Sequence, residues 1–155
     1  MTKEETLERL EGLDYELVEH KAVFTIAEMQ DAGIPHPELI SKNLFVRDDK
    51  KRCYYLISVE AGRKLDLREF QRAYDTRRLS FASEEDLRSR LGLEKGSVTP
   101  LGLLEDSSVE FFLDRYFEGR RIGIHPSVNT ATVFLDASDL AALISSNGNK
   151  VTWLD

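Results

Sequence analysis

The stretch "LFVRDDKKRCYYLI", residues 44–57, limits the fold more than any other part of the chain. Two short apolar runs, Leu44-Phe45-Val46 and Tyr54-Tyr55-Leu56-Ile57, flank a connection that is charged from Arg47 to Arg52. Both are too short for a helix and rich in aromatic and β-branched residues, so they read as the two strands of a β-hairpin with Arg47–Arg52 as the solvated turn. A lone hairpin is only marginally stable in water, so the rest of the chain must supply more strands or a covering helix. Lys42 and Asn43 stand at the mouth of the first strand, and a hairpin has no need of them.

Helix signals are equally local. Thr2 and Glu5 form a capping box ahead of Leu7 and Leu10, which predicts a helix over about 3–12. Thr25 with Glu28 opens a second helix that ends near Gly33. Asp66 begins the amphipathic "LREFQRAY", and Ser83 with Asp86 caps "EEDLRSRL". A last helix, "SDLAALISSN", follows Asp136 or Ser138. "YELVEH", "SVEFFLD", "RIGIHP", "TATVFLD" and "KVTWLD" read as strands, and the Gly/Pro-punctuated "GSVTPLGLL" (96–104) as a loop. Helices and strands alternate irregularly, with no repeat or linker. The expected fold class is α/β of the mixed α+β kind: a single domain over 1–155 with one mixed, mostly antiparallel sheet and flanking helices.

The 155 residues are enough to bury roughly two-thirds of the unfolded surface. No apolar stretch approaches the ~20 residues of a membrane span. The opening "MTKEETLERLEGL" has four glutamates and no apolar block, unlike a signal or transit peptide, so the cytoplasm is the expected compartment. A net charge of −7 speaks against a generic duplex-binding protein, so no DNA partner is expected. Basic residues do cluster, as at Arg77-Arg78 and Arg120-Arg121, and such clusters serve as solvated turns or as a local anion-binding face. Cys53 has no partner for a disulfide and sits in a strand-like run, which predicts inert packing.

The chain has no Walker loop, no "GxGxxG" and no "GxSxG", and its three histidines are scattered, so no metal and no cofactor are expected. Three places remain. Lys42-Asn43 offers a cation and an amide, or a merely solvated strand end. "GSVTP" (Gly96, Ser97, Val98, Thr99, Pro100) offers consecutive backbone amides, suited to an oxyanion nest or to a plain connection. "HPSVNT" sets His125, Asn129 and Thr130 on one strand-to-strand loop, where turn formation alone also accounts for Pro126 and Asn129.

In combination these segments resemble a known family. "VEHKAVFT", "SKNLFVRDDK", "RRLSFASEEDL", "GLEKGSVTPLGLL" and "IGIHPSVNTATV" follow the order and spacing of the YbaK/ProX family, freestanding aminoacyl-tRNA deacylases related to the editing insertion of bacterial prolyl-tRNA synthetase. The resemblance spans about residues 5–154 and is closest to the branch that removes alanine from tRNA(Pro). It implies that Lys42 is the functional lysine near the terminal adenosine, with Asn43 as its polar neighbour. It also implies that the Gly96–Pro100 main chain faces the ester carbonyl, that His125 forms the far wall, and that Arg47 and Arg78 meet the acceptor stem. The implied partner is the tRNA(Pro) acceptor stem carrying alanine, with transient contact to prolyl-tRNA synthetase. A Cys-tRNA(Pro) deacylase and a noncatalytic tRNA- or amino-acid-binding module are the alternatives. The resemblance is weakest over 27–41, a segment expected beside the pocket.

Overall fold

The computed structural model describes residues 1–155. Eight strands and five helices follow in the order α1 (Lys3–Arg9), β1 (Tyr15–Glu19), α2 (Ile26–Asp31), β2 (Ser41–Asp48), β3 (Tyr54–Glu60), α3 (Leu67–Tyr74), β4 (Leu79–Phe81), α4 (Glu84–Leu91), β5 (Glu110–Asp114), β6 (Arg121–Ile124), β7 (Ala131–Asp136), α5 (Ala137–Ser146) and β8 (Val151–Leu154). Short 3₁₀ segments occupy Pro37–Leu39, Pro100–Glu105 and Arg115–Phe117.

The expected mixed architecture is present, but its strands divide between two sheets. One has the order β1-β7-β6, the other β4-β2-β3-β5-β8. All pairs are antiparallel except β3–β5 and β5–β8. The sheets meet at one point, a parallel bridge between Ile40 and Gly123, reinforced by the Ser41 hydroxyl donating to the Gly123 carbonyl at 3.4 Å. Glycine is required there: a Cβ on residue 123 would lie 2.6 Å from the Phe134 ring. A core of 21 buried residues is drawn from both sheets and from α4 and α5.

Strand periodicity explains how each apolar run is consumed. Successive side chains point to opposite faces, so Phe111 and Leu113 enter the main core while Phe112 joins a second cluster under α3 with Phe70, Tyr55 and Ile57. In the same way Val133 and Leu135 face the main core, and Phe134 faces a third cluster with Val23, Met29, Ile34 and Ile40. Helix α2 is thereby packed on the outer face of the three-stranded sheet, next to the seam.

The capping boxes form as expected at Thr2/Glu5 and Ser83/Asp86, and Thr25 Oγ1 accepts from the Glu28 amide at 3.1 Å. Four details differ from the sequence-based expectation. Helix α1 stops at Arg9, with Leu10 capping its end. The segment read as a loop over 96–104 becomes a buried 3₁₀ turn from Pro100, because its leucines are drawn into the main core. Strand β2 begins at Ser41, which sets Lys42 and Asn43 inside the strand instead of ahead of it. Cys53 is exposed and precedes β3, so it is not a packed thiol.

Candidate active site

At the seam between the sheets lies a cavity of about 290 Å³. Lys42 and Asn43 of β2, Gly96 and Val98 of the loop after α4, and His125 at the end of β6 all line it. These residues are far apart in sequence, and the fold brings them together. Val23, Phe24, Thr25, Ile26, Met29 and Ser41 complete the wall. Met29 and Ser41 belong to the segment expected beside the pocket; the sequence reading missed Val23 to Ile26.

Asn43 joins three elements. Its Oδ1 accepts from Ser41 Oγ at 3.0 Å and from Ser58 Oγ at 2.6 Å, and its Nδ2 donates to the Val98 carbonyl at 3.2 Å. The amide therefore ties β2 and β3 to the Gly96 loop, a role the Gln homologue, one methylene longer, would fill poorly. Lys42 is half-buried, and its ammonium donates to the Arg63 carbonyl at 2.5 Å. An ammonium has three N–H donors, so two remain for a ligand. Arg63 is itself fixed by Asp114 (3.0 Å) and by the Asp155 carbonyl (2.8 Å), which holds the lysine's anchor in place.

Gly96 has φ +90°, a region that favours glycine, and the Phe24 ring lies over it: a Cβ here would be 2.6 Å from Phe24 Cδ1. The Ser97 amide donates to the Glu94 carbonyl at 3.0 Å, while the amides of Gly96, Val98 and Thr99 make no hydrogen bond within the chain. Of these, Gly96 and Val98 line the cavity.

His125 is 9% exposed, and its Nδ1 is 2.8 Å from the Ala131 carbonyl. A carbonyl only accepts, so Nδ1 carries the proton and Nε2 keeps a lone pair. Burial lowers the proton affinity of His125; the Ala131 hydrogen bond opposes this, and the nearby His20 ring adds to it. The imidazole is therefore neutral near pH 7.

The other predicted residues do not line the cavity. Ser97, Thr99 and Pro100 are buried, with Thr99 capping the 3₁₀ turn. Asn129 clasps the loop ahead of α2 by donating to the Val23 carbonyl at 3.0 Å, and the Thr130 carbonyl accepts from the His20 amide at 2.9 Å. Arg47 donates to the Asp48 carbonyl at 2.9 Å and lies 3.9 Å from Asp86, pinned between β2 and α4. Arg78 is exposed and shares a groove of about 660 Å³ with Arg68 and Arg72 of α3. None of the three has an ion-pair partner, in contrast to Arg77 with Asp49 at 2.6 Å.

Residues 20–143 match the family model described as an aminoacyl-tRNA editing domain. The chain belongs to that family. It is 41% identical to the prolyl-tRNA editing protein ProX of Acetoanaerobium sticklandii over 140 residues, 88% of this chain and 85% of that one. It is 36% identical to the mouse (Mus musculus) prolyl-tRNA synthetase associated domain-containing protein 1 over 144 residues, 86% of this chain and 83% of that one. Its fold matches the crystal structure of a candidate trans-editing enzyme for prolyl tRNA synthetase with a TM-score of 0.71 at 24% identity, over 97% of this chain and 96% of that one. The protein is accordingly an aminoacyl-tRNA deacylase, a hydrolase of the ester joining an amino acid to tRNA. The family resemblance read from the motifs is borne out. No helix is long and apolar enough to cross a membrane.

Proposed function

We propose that the protein edits the products of prolyl-tRNA synthetase, hydrolysing alanine from mischarged tRNA(Pro). The observation that carries this reading is the convergence of Lys42, Asn43, Gly96, Val98 and His125 on one cavity with an apolar floor of Val23, Ile26 and Met29. Relatives named as prolyl-tRNA editing proteins support the choice of tRNA.

An aminoacyl ester is already activated, so its hydrolysis needs positioning more than a strong nucleophile. Water adds to the ester carbonyl, the oxyanion forms, and collapse expels the ribose oxygen to give free alanine and tRNA(Pro). The unpaired amides of the Gly96 loop supply the oxyanion donors. The two spare N–H groups of Lys42 hold the terminal phosphate while the third stays on Arg63. The neutral His125 Nε2 accepts from the α-ammonium of the amino acid, and the ribose 2′-hydroxyl orients the water. The apolar floor admits a methyl group and works against a larger ring by steric exclusion. Arg78, with Arg68 and Arg72, meets the acceptor-stem phosphates.

Deacylation of Ala-, Cys- and Pro-tRNA(Pro) and of Ala-tRNA(Ala), run side by side, tests the reading. Rapid loss of alanine from tRNA(Pro) alone is expected. Preferential hydrolysis of Cys-tRNA(Pro) would reassign the amino acid, and hydrolysis of none would refute the proposal.

A further inference from the structure

Asp114 closes β5 and is 4% exposed, yet it lines no part of the cavity. Its carboxylate accepts three hydrogen bonds. Oδ2 takes the Glu60 amide at 3.0 Å, and Oδ1 takes Arg63 Nη1 and the Tyr116 amide, both at 3.0 Å. Glu60 and Arg63 are the first and last residues of the turn that follows β3, closed by the Arg63 amide donating to the Glu60 carbonyl at 2.9 Å. One buried carboxylate therefore grips both ends of that turn. The Asp155 carbonyl, 2.8 Å from Arg63 Nη2, gives the guanidinium a second hold.

A buried aspartate–arginine pair at a strand end ordinarily does no more than staple the fold. This one fixes a turn whose last carbonyl, that of Arg63, accepts from the Lys42 ammonium, and Lys42 makes no other hydrogen bond or ion pair within the chain. A lysine head rides on a flexible four-carbon stem, so the acceptor it rests on decides where its remaining donors point. A displacement of about 1 Å at a reacting centre can cost up to a hundredfold in rate, even when its origin is remote. We propose that Asp114 and Arg63 are positioning residues of the deacylase, acting through Lys42. The inference rests on the proposed use of Lys42 in hydrolysis and extends it to two residues outside the cavity.

The test follows single-turnover deacylation of Ala-tRNA(Pro) in Arg63→Met, Lys42→Ala and the double variant, with binding of unacylated tRNA(Pro) measured alongside. Arg63→Met keeps the backbone carbonyl and releases the turn from the carboxylate. It should slow the reaction roughly tenfold at saturating tRNA and leave tRNA affinity little changed. In the Lys42→Ala background the same change should cost nothing further, because the group it acts through is gone. The Arg63 side chain is 30% exposed, so Arg63→Met should melt close to the parent, which thermal unfolding checks. Arg63→Lys, which returns a cation to the carboxylate without the second hold, should recover part of the rate, and it supports the same cycle if Arg63→Met folds poorly. Full rate in Arg63→Met beside a slow Lys42→Ala overturns the positioning role and leaves the proposed function standing. Equal losses in both backgrounds, or a loss that vanishes at saturating tRNA, also overturn it. A Lys42→Ala enzyme as fast as the parent refutes the use of Lys42 and this inference with it.

Discussion

Gly96→Ala is the sharpest single perturbation of the cavity, because two separate effects meet at one atom. A residue with a Cβ at φ +90° carries left-handed strain of roughly 1–2 kcal/mol. Part of that is offset, since replacing glycine lowers the entropy of the unfolded chain by about 0.4–1 kcal/mol. The net loss of stability is therefore about 1 kcal/mol, or roughly 2–4 °C in melting temperature for a chain of this size. The second effect is steric. The new Cβ would stand 2.6 Å from Phe24 Cδ1, closer than real Cβ atoms come to any neighbour. Phe24 is 64% exposed, so the ring swings outward at little cost to the fold and the cavity loses its roof.

Stability and activity should thus part company: a small fall in melting temperature with at least a tenfold fall in single-turnover deacylation at saturating tRNA. A double-mutant cycle with Phe24→Ala isolates the route. If the ring transmits the damage, Gly96→Ala in the Phe24→Ala background should cost stability again but little further rate. An equal rate loss in both backgrounds would refute the steric account, as would a Gly96→Ala enzyme of full activity.

Lys42→Ala should stay slow even at saturating tRNA, because it removes a charge-assisted contact worth about 1.5–3 kcal/mol, or roughly ten- to a hundredfold; recovery at saturation would reduce the lysine to a binding group. Arg78→Ala should instead recover at saturation and lower the salt dependence of binding by about one phosphate contact. Burial holds the proton affinity of His125 down, so between its folded value and the ordinary histidine value of about 6.5 the unfolded chain binds more protons than the folded one. Stability is then full above about pH 6.5 and falls as the pH drops through that range; a melting temperature independent of pH from about 8 to about 5.5 would contradict this. Cys53→Ser should keep the full rate, since Cys53 is exposed and lines no part of the cavity; a dead variant would point to covalent catalysis.

What could be read from sequence was what is decided locally. Capping boxes bring donor and acceptor together within three residues, and the hairpin needs only its two apolar runs and a charged turn. Strand β4 escaped because Leu79–Phe81 is a strand only by virtue of its register with β2, Val46 opposite Phe81 and Asp48 opposite Leu79. The division into two sheets escaped for a similar reason: it depends on how much core must fit between them, a quantity no segment carries alone. Of the residues expected at the pocket, Lys42, Asn43, Gly96, Val98 and His125 line the cavity and Ser97, Thr99, Pro100, Asn129 and Thr130 do not, whereas Phe24 and Ile26, which do line it, carry only the signals of the flank and first turn of an ordinary capped helix. Thr99 and Pro100 read as part of a Gly/Pro-punctuated loop, and the leucines after them draw that segment into the core as a 3₁₀ helix. Arg68 and Arg72 read as the solvated face of an amphipathic helix, and only Arg78, just ahead of β4, makes them a groove.

That groove bears on how an acidic protein handles an anionic substrate. Its net charge of −7 repels nucleic acid at long range, yet screening confines such fields to about 8 Å at physiological salt. Within that distance the local arrangement decides. Arg63, Arg77, Arg88, Arg90 and Arg115 are each held by a carboxylate within 3.2 Å. The three arginines of the α3–β4 groove are held by none. On the proposed reading, acidic surface elsewhere keeps bulk RNA from lodging, while the groove offers a few phosphate contacts to an acceptor stem whose end reaches the seam. Few contacts mean modest affinity and quick release, as suits an enzyme that must let correctly charged tRNA go. Adding carboxylates to the groove should then raise the tRNA concentration needed without slowing the saturated reaction. Arg72→Glu measures this: a slower single-turnover rate at saturation would mean that the groove takes part in the chemistry itself.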